Sequence, residues 1–162
     1  MDEKPKAYYC SPIGTLEIVG DADGITSVEF VDDAPRRANT PPELAECVSQ
    51  LDEYFNGKRK TFSLNLVLGG TEFQNRVWRE LLNIPFGRTV AYLDIARALG
   101  NRNAIRATGA ANGQNPIVII VPCHRVIGSD GSLTGYGGGL WRKEWLLNFE
   151  RASAQTRLFD AG

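Results

Sequence analysis

The sequence predicts an α+β fold: a small N-terminal antiparallel-sheet domain with one helix, followed by a helical, winged helix-turn-helix-like domain. Two observations predict it. Residues 7–31 are short β-branched and aromatic runs separated by turn compositions, typical of a strand meander. Beyond residue 70, apolar residues recur every three or four positions, as on amphipathic helices. Gly69-Gly70 separates the two patterns, so we expect domains over 1–69 and 70–152.

Turn residues, prolines and glycines indicate where the elements of the first domain begin and end. Strands are predicted at 7–10, 15–20 and 25–31, with turns between them at 11–14 and 21–24. A polar linker over 32–42 ends in Pro41-Pro42, which opens a helix over about 43–56. Gly57 ends that helix, and a strand-like segment, 61–68, leads to the boundary.

The second domain is predicted to be helical. Thr71 and Gln74 form a capping-box pattern at the start of its first helix. A second helix, capped by Thr89, ends at Gly100, and Asn103 caps a third over about 104–112, which together give a helix-turn-helix layout. The remaining segments are a small hairpin over 126–134 as a candidate wing, a last helix over about 140–151, and a frayed tail, 153–162. The last helix is expected to bury Leu140, Leu146, Leu147 and Phe149.

Composition and charge limit the function classes. Of 162 residues, 43% are hydrophobic and 23% charged, with no signal core and no apolar stretch long enough to span a membrane. We expect a cytoplasmic protein without a membrane partner, whose three scattered cysteines are free thiols. Without a Cys-x-x-Cys or His-x-His pair, no metal is expected.

Charge is divided unevenly between the two halves. Residues 1–70 carry 7 Lys/Arg and 12 Asp/Glu, a net −5, whereas residues 71–162 carry 11 and 7, a net +4. An anionic partner such as nucleic acid would therefore meet the second half. A chance distribution of surface charge is the alternative.

The third helix of this domain has few large side chains. We expect Ile105 and Thr108 to face inward. An outer face at i, i+3, i+4 and i+7 spacing is shared by Arg106, Gly109, Ala110 and Gly113. Gly109 lowers helix stability by roughly 1 kcal/mol relative to alanine, so it needs a reason. Close approach of a nucleic-acid groove and tight packing of a neighbouring helix both supply one.

A candidate nucleophile lies at residues 122–126, Pro-Cys-His-Arg-Val, where His124 is the only histidine of the chain. The apolar run 117–121 predicts a buried strand that Pro122 ends, which would present Cys123 at a fixed point. A thiol and an imidazole together can form an activated nucleophile. A buried pair without chemistry is an equally open interpretation.

Residues 134–139, Thr-Gly-Tyr-Gly-Gly-Gly, predict a loop that approaches a ligand closely. No Lys-Ser/Thr follows, so the loop is a poor phosphate-binding loop. A lid over a flat ligand, with Tyr136 as its side chain, and a plain flexible connector are the two interpretations.

Over about residues 71–150, these motifs in this order resemble the O6-alkylguanine-DNA alkyltransferases, also called methylated-DNA–protein-cysteine methyltransferases. The residues that carry the resemblance are Gly70-Thr71, Phe73-Gln74, Val77-Trp78, 84–87 (Ile-Pro-Phe-Gly), Tyr92, Ile95-Ala96, Arg106-Ala107, Asn115-Pro116, 122–126, 133–136, 138–140, Lys143, Leu146-Leu147 and Glu150. The N-terminal domain is compatible with the family's RNase H-like support domain.

The resemblance implies direct reversal of DNA damage. The O6-alkyl group of a flipped-out guanine, with O4-alkylthymine as a further candidate substrate, would pass irreversibly to Cys123. His124 would be the base, acting through a water and oriented by Glu150, and no cofactor is implied. Tyr92 would donate to the base, and Arg106 would fill the vacated stack. Further implied positions are Asn115 as a brace, Tyr136 against the alkyl group, Gly137 (often serine in the family) near O6, the Cys123 and Val126 carbonyls at the exocyclic amine, and Ala107, Gly109 and Gly138 at the DNA.

The implied partner is double-stranded DNA that contains O6-alkylguanine, bound in the minor groove with little sequence preference. A monomer is expected, nucleoid-associated when bound, and cooperative binding along DNA is left open. Two other classes compete. A lesion-binding relative without transfer activity would replace Cys123, and a helix-turn-helix regulator would give no reason for the glycine-rich loop, His124 and Glu150.

Overall fold

The structure, a computed structural model, describes residues 3–35 and 39–160. It divides into two compact units, Met1–Gly69 and Gly70–Gly162. The first contains a three-stranded antiparallel sheet and one helix, and the second is mainly helical. The predicted α+β fold class is confirmed. No described helix has the length and apolar character that crossing a membrane requires.

The sheet of the first unit is built from strands β1 (Lys6–Ser11), β2 (Gly14–Asp21) and β3 (Gly24–Val31), paired in chain order. Helix α1 (Pro42–Phe55) packs on β1 and β2. Alternate residues of β2 face this helix, so Leu16 and Ile18 are fully buried together with Leu51. The predicted meander is therefore present, and part of the linker, residues 36–38, lies outside the described residues.

Residues 61–68 do not form the predicted strand. Only Leu66 makes a bridge, to Ile25 of β3. The reason lies in α1, where the buried Gln50 side chain accepts from Ser63 N at 2.9 Å and donates to Ser63 O at 3.1 Å. Because a side chain satisfies these backbone groups, no neighbouring strand is needed.

The second unit contains helices α2 (Glu72–Leu81), α3 (Tyr92–Ala98), α4 (Ile105–Gly113) and α5 (Leu140–Asp160), and short strands β4 (Val90–Ala91) and β5 (Val126–Ile127). The predicted capping box is confirmed, since Gln74 N donates to Thr71 Oγ1 at 3.1 Å and Thr71 N to Gln74 Oε1 at 2.9 Å. Helix α2 packs against α3 and α4, which fixes the helix pair that presents the outer face of α4.

The caps of the helix pair differ from the prediction. Thr89 does not cap α3, because Val90 and Ala91 pair with β5 and the helix starts at Tyr92. A 3-10 helix, Arg102–Ala104, precedes α4, and its cap is Asn101, whose Oδ1 accepts from Asn103 N at 3.0 Å. The predicted Asn103 cap is therefore wrong by two positions.

The predicted strand over 117–121 is a pair of tight turns. Val121 N donates to Ile117 O at 3.0 Å, Ile120 N donates to Val118 O at 2.8 Å, and Ile119 has φ 73°. Ile117, Ile119 and Val121 are all buried. The apolar run was a signal of burial, which periodicity alone cannot assign to a strand.

Two further segments correct the prediction. Residues 126–134 form no hairpin, because β5 pairs in parallel with β4 and Gly128 N donates to Ser132 O at 2.9 Å to close a loop. Helix α5 continues to Asp160 through the predicted frayed tail, of which 161–162 lie outside the described residues. No glycine or proline interrupts residues 140–160, so nothing in the chain ends the helix earlier.

Candidate functional site

Cys123 opens a short 3-10 helix, Cys123–Arg125, between the turns at 117–121 and strand β5. Its side chain is buried, with 4% of the residue exposed. Asn115 fixes the preceding turns by donating to Val121 O at 2.7 Å and accepting from Ile117 N at 2.9 Å. A side-chain hydrogen bond from Asn115 also reaches Cys123. The thiol therefore sits at the end of a braced segment.

His124 contacts Glu150 from the last helix. His124 Nε2 lies 2.8 Å from Glu150 Oε2, and both side chains are almost fully buried. An ionised carboxylate can only accept, so Nε2 carries the proton and Nδ1 has the lone pair. Nδ1 is buried and has no hydrogen-bond partner among the described residues. Nδ1 is thus the atom that can accept a proton.

Arg125 binds the same carboxylate from the other side. Its Nε donates to Glu150 Oε1 at 2.8 Å and its Nη2 to Glu150 Oε2 at 2.9 Å. Its Nη1 donates to Ile84 O at 2.7 Å, and Gly87 N donates to Glu150 Oε1 at 3.3 Å. The loop after α2, the 3-10 helix and α5 meet at this carboxylate.

Burial and charge set the protonation states. Burial raises the pKa of the Cys123 thiol, and the Asn115 hydrogen bond and the Lys143 charge oppose it only in part. Burial lowers the pKa of His124, against the attraction of Glu150. Burial alone would raise the pKa of Glu150, but His124 and Arg125 outweigh it and hold that pKa well below its usual range. The resting site is therefore a thiol, a neutral imidazole and a carboxylate.

Lys143 is a buried cation one helical turn from the start of α5. Its Nζ donates to Val126 O at 2.6 Å and to Thr134 O at 2.7 Å. Burial lowers the pKa of Lys143 to about 8, and the nearby Cys123 acts in the opposite direction. Lys143 thus joins β5 to the glycine-rich loop and places positive charge near the thiol.

One tyrosine, Tyr92, contacts the glycine-rich loop, and another, Tyr136, belongs to it. Tyr92 Oη donates to Thr134 O at 3.2 Å, so its hydroxyl is engaged by the loop. Tyr136 is buried, and its hydroxyl has no hydrogen-bond partner among the described residues. Burial raises the pKa of Tyr136, which keeps it a phenol. Gly137 at the tip of the loop is exposed, and Gly138 is half-buried.

Helix α4 presents the bare outer face that the sequence predicts. Arg106, Ala107 and Ala110 are exposed, and Gly109 is half-buried beside Tyr92. Thr108 faces inward as expected, but Ile105 is 42% exposed because it stands at the first position of the helix, outside its packed side.

The inner side of α4 reaches the cysteine backbone. Buried Asn112 donates to Cys123 O at 3.3 Å, and Val126 N donates to the same oxygen. Both lone pairs of Cys123 O are therefore occupied, whereas Val126 O accepts only from Lys143 in the hydrogen bonds described above.

Sequence reasoning missed three residues of this site: Asn112, Arg125 and Lys143. A signal existed for Lys143, which shares one face of α5 with Leu146, Leu147 and Glu150 at helical spacing. Two charged residues on an apolar stripe indicate buried charge, which is rare unless the charges are paired. Leu140 is 49% exposed and Phe149 is only half-buried, contrary to the prediction that the last helix buries both. Asn112 and Arg125 had no comparable signal.

The chain is similar to known proteins over nearly its whole length. Residues 72–152 match the family described as 6-O-methylguanine DNA methyltransferase, DNA binding domain, and residues 5–68 match the ribonuclease-like domain of the same description. A methylated-DNA–protein-cysteine methyltransferase of Mycobacterium leprae is 51% identical over 153 residues, 91% of this chain and 93% of that protein. One of Methanosarcina barkeri is 45% identical over 147 residues, 86% of this chain and 92% of that protein.

The chain is also similar to solved structures. The crystal structure of Mycobacterium tuberculosis OGT in complex with DNA has a TM-score of 0.81 and 47% identity, covering 90% of this chain and 93% of that chain. The O6-methylguanine-DNA methyltransferase of Pyrococcus kodakaraensis, at 22% identity and a TM-score of 0.56, covers 90% of this chain and 97% of that chain, and shares the fold.

Proposed function

The chain belongs to the 6-O-methylguanine DNA methyltransferase family, and we propose that Cys123 is the residue on which it carries out DNA repair by alkyl transfer. The O6-alkyl group of guanine moves to the protein in a stoichiometric, irreversible step, so each molecule acts once. The observation that carries the assignment to Cys123 is the contact of its neighbour His124 with Glu150 at 2.8 Å, which leaves Nδ1 as a buried proton acceptor.

The reaction is a displacement at the alkyl carbon. His124 Nδ1 takes the thiol proton, through a water that bridges the two side chains, and the Cys123 sulfur attacks the carbon. The new S–C bond forms as the C–O6 bond breaks, and the electron pair leaves with guanine, which then takes up a proton. Glu150 stabilises the imidazolium, and the Lys143 ammonium favours the thiolate.

The leaving guanine needs hydrogen-bond donors where its charge develops. The Tyr92 hydroxyl is one, after exchanging Thr134 O for the base, and that carbonyl stays paired because Lys143 Nζ also donates to it at 2.7 Å. The backbone N–H of Gly137 faces O6. Val126 O, with its remaining lone pair, accepts from the exocyclic amine.

DNA binds to the outer face of α4. Ala107, Gly109 and Ala110 let the helix approach the floor of the minor groove, and Arg106 enters the stack that the flipped nucleotide leaves. Residues 71–162, which lie in the second unit, carry a net charge of +4. This positive charge supports contacts to phosphates with little sequence preference. The protein acts as a cytoplasmic monomer and associates with the nucleoid through DNA.

Intact mass after incubation with duplex DNA containing O6-methylguanine tests the assignment. The protein should gain one methyl group, located on Cys123 by peptide mapping. Cys123→Ala should bind the lesion and gain no mass. The matched controls are Cys10→Ser and Cys47→Ser, which remove the other two cysteines and should leave the mass gain intact.

The alternatives give other results. A lesion-binding protein without transfer activity, or a DNA-binding regulator, would show no mass gain with any substrate. A methyl group found on Cys10 or Cys47, or transfer that persists in Cys123→Ala, would overturn the choice of acceptor.

A further inference from the structure

We propose that Arg125 is a positioning residue for alkyl transfer: its guanidinium holds Glu150 as a carboxylate and keeps His124 in the neutral form, protonated on Nε2, that serves as the base. This inference rests on the proposed function, because it concerns how that function's base is prepared. It gives Arg125 a role of its own, apart from the thiol and the alkyl group.

Arg125 fixes the position of the Glu150 carboxylate. The two parallel bonds from Arg125 to Glu150, at 2.8 and 2.9 Å, occupy both carboxylate oxygens and fix the plane of the carboxylate. Glu150 Oε2, the oxygen bound to His124 Nε2, is thereby held on its other side by Arg125 Nη2. Arg125 is itself held, since Nη1 donates to Ile84 O at 2.7 Å and only 5% of the residue is exposed. The imidazole is therefore oriented through a rigid chain of contacts.

Arg125 also balances the charge of Glu150. With neutral His124, the cluster of Arg125 and Glu150 has no net charge, which suits its burial. Protonating His124 would add an uncompensated buried charge. If Arg125 were neutral, Glu150 would instead pair with an imidazolium, and the base would be occupied by its own proton at a higher pH.

The other charged groups that face His124 act in the same direction or supply the proton. Lys143 from α5 is a second cation, and it also disfavours the imidazolium. Cys123, on the same segment as His124, is the proton source. Arg125 differs from Lys143 in that it also contacts the carboxylate that orients the ring.

The single histidine makes a direct test possible. The ring signals of isotope-labelled histidine in the intact chain report His124 alone, so its titration midpoint can be read by NMR. In the unmodified protein the midpoint should lie below the ordinary value of about 6.5. In Arg125→Met it should rise by about one pH unit or more. The acid limb of the transfer rate against pH should move upward with it.

Arg125→Lys separates the effect of the positive charge from the effect of the two parallel hydrogen bonds that the guanidinium makes. Lysine keeps the positive charge but cannot make the parallel pair of bonds. The titration midpoint should therefore stay close to the unmodified value, while transfer slows at every pH. An unchanged midpoint in Arg125→Met, or equal shifts in both variants, would overturn the proposal, because charge would then not be what acts on His124.

Arg125→Met leaves a buried carboxylate without its main partner, which can prevent folding. A second pair of variants therefore tests the role of Arg125 without a buried carboxylate. Glu150→Gln and the double variant Arg125→Met/Glu150→Gln differ only in the arginine. The double variant should titrate at higher pH than Glu150→Gln, and identical midpoints would contradict the role of Arg125. Arg59→Met, which removes a surface arginine that pairs with Glu53 at 3.2 Å, is the matched control and should not move the midpoint.

Failure of the proposed function is distinguishable from failure of this inference. If the unmodified protein gains no methyl group, the alkyl-transfer assignment is wrong whatever the titrations show. If it transfers normally and Arg125→Met leaves both the midpoint and the acid limb in place, only the role of Arg125 is wrong.

Discussion

At the scale of single residues, the site uses buried charges that are individually costly. Glu150 accepts from His124, Arg125 and the Gly87 backbone, and these donors help to keep a buried carboxylate ionised. The Cys123 thiol has weaker support, because Asn115 and Lys143 offset only part of the rise in pKa that burial causes. Cys123 therefore rests as a thiol, which acts as a nucleophile only after a base has removed its proton.

Arg106 gives a prediction at this scale. Arg106→Ala should slow transfer from duplex DNA by at least about tenfold, since an empty stack makes flipping cost more by a kcal/mol or more. Transfer from free O6-methylguanine, which needs no flipping, should change little. Single-turnover rates on both substrates measure this. Equal losses on the two substrates would contradict a role in flipping.

At the scale of elements, α4 combines a polar inner side with a bare outer face. Asn112 connects the inner side to Cys123 O, and Trp78 Nε1 of α2 donates to Ala111 O at 2.8 Å. The helix that is proposed to contact DNA is thus hydrogen-bonded directly to the backbone of Cys123. Its position relative to the thiol is set by these two side chains.

Gly109 tests whether the bare face serves binding or folding. A Cβ at Gly109 would lie 3.9 Å from Cδ1 of Tyr92, an ordinary contact, so Gly109→Ala should stabilise the second unit by up to about 1 kcal/mol. Affinity for duplex DNA should fall, because a methyl group would stand at the groove floor. Urea unfolding and a DNA titration measure the two effects.

The comparison for this prediction is Gly113→Ala, where a Cβ would meet nothing within 4 Å. It should give a similar or smaller gain in stability. If Gly109→Ala leaves DNA affinity unchanged, the small residue at this position does not serve the groove.

At the scale of the whole molecule, chemistry and most cationic charge belong to the second unit. Its stability should depend on pH in a defined direction. The pKa of His124 is lowered by folding, so the unfolded chain binds the proton more readily and stability falls as pH drops below about 6.5. The pKa of Glu150 is also lowered, so its contribution is complete above about 4.5 and is lost below that value.

The free energy of unfolding of the second unit should therefore decrease from pH 7.5 to pH 4, by up to about 1.4 kcal/mol per pH unit for each group that titrates. All three tryptophans lie in residues 78–145, so tryptophan fluorescence in urea reports this unit alone. A denaturation midpoint that does not change over this range would mean that His124 and Glu150 are not buried as described.

The sequence by itself determined the features that depend on residues close together in the chain. The capping box of Thr71 and Gln74, the three-strand meander and the position of a thiol next to the only histidine were all readable, because each is a local pattern. The identity of the family was readable as well, since it depends on motif order.

Only the tertiary structure decided which distant groups meet. Glu150 reaches His124 across 26 positions and Lys143 reaches Val126 across 17, and no local pattern encodes such a distance. The run 117–121 illustrates the limit in the other direction, because strands and buried turns need the same apolar side chains. Hydrophobic burial selects residue type without selecting backbone shape, so the brace by Asn115 and the fork of Arg125 appear only when the chain has folded.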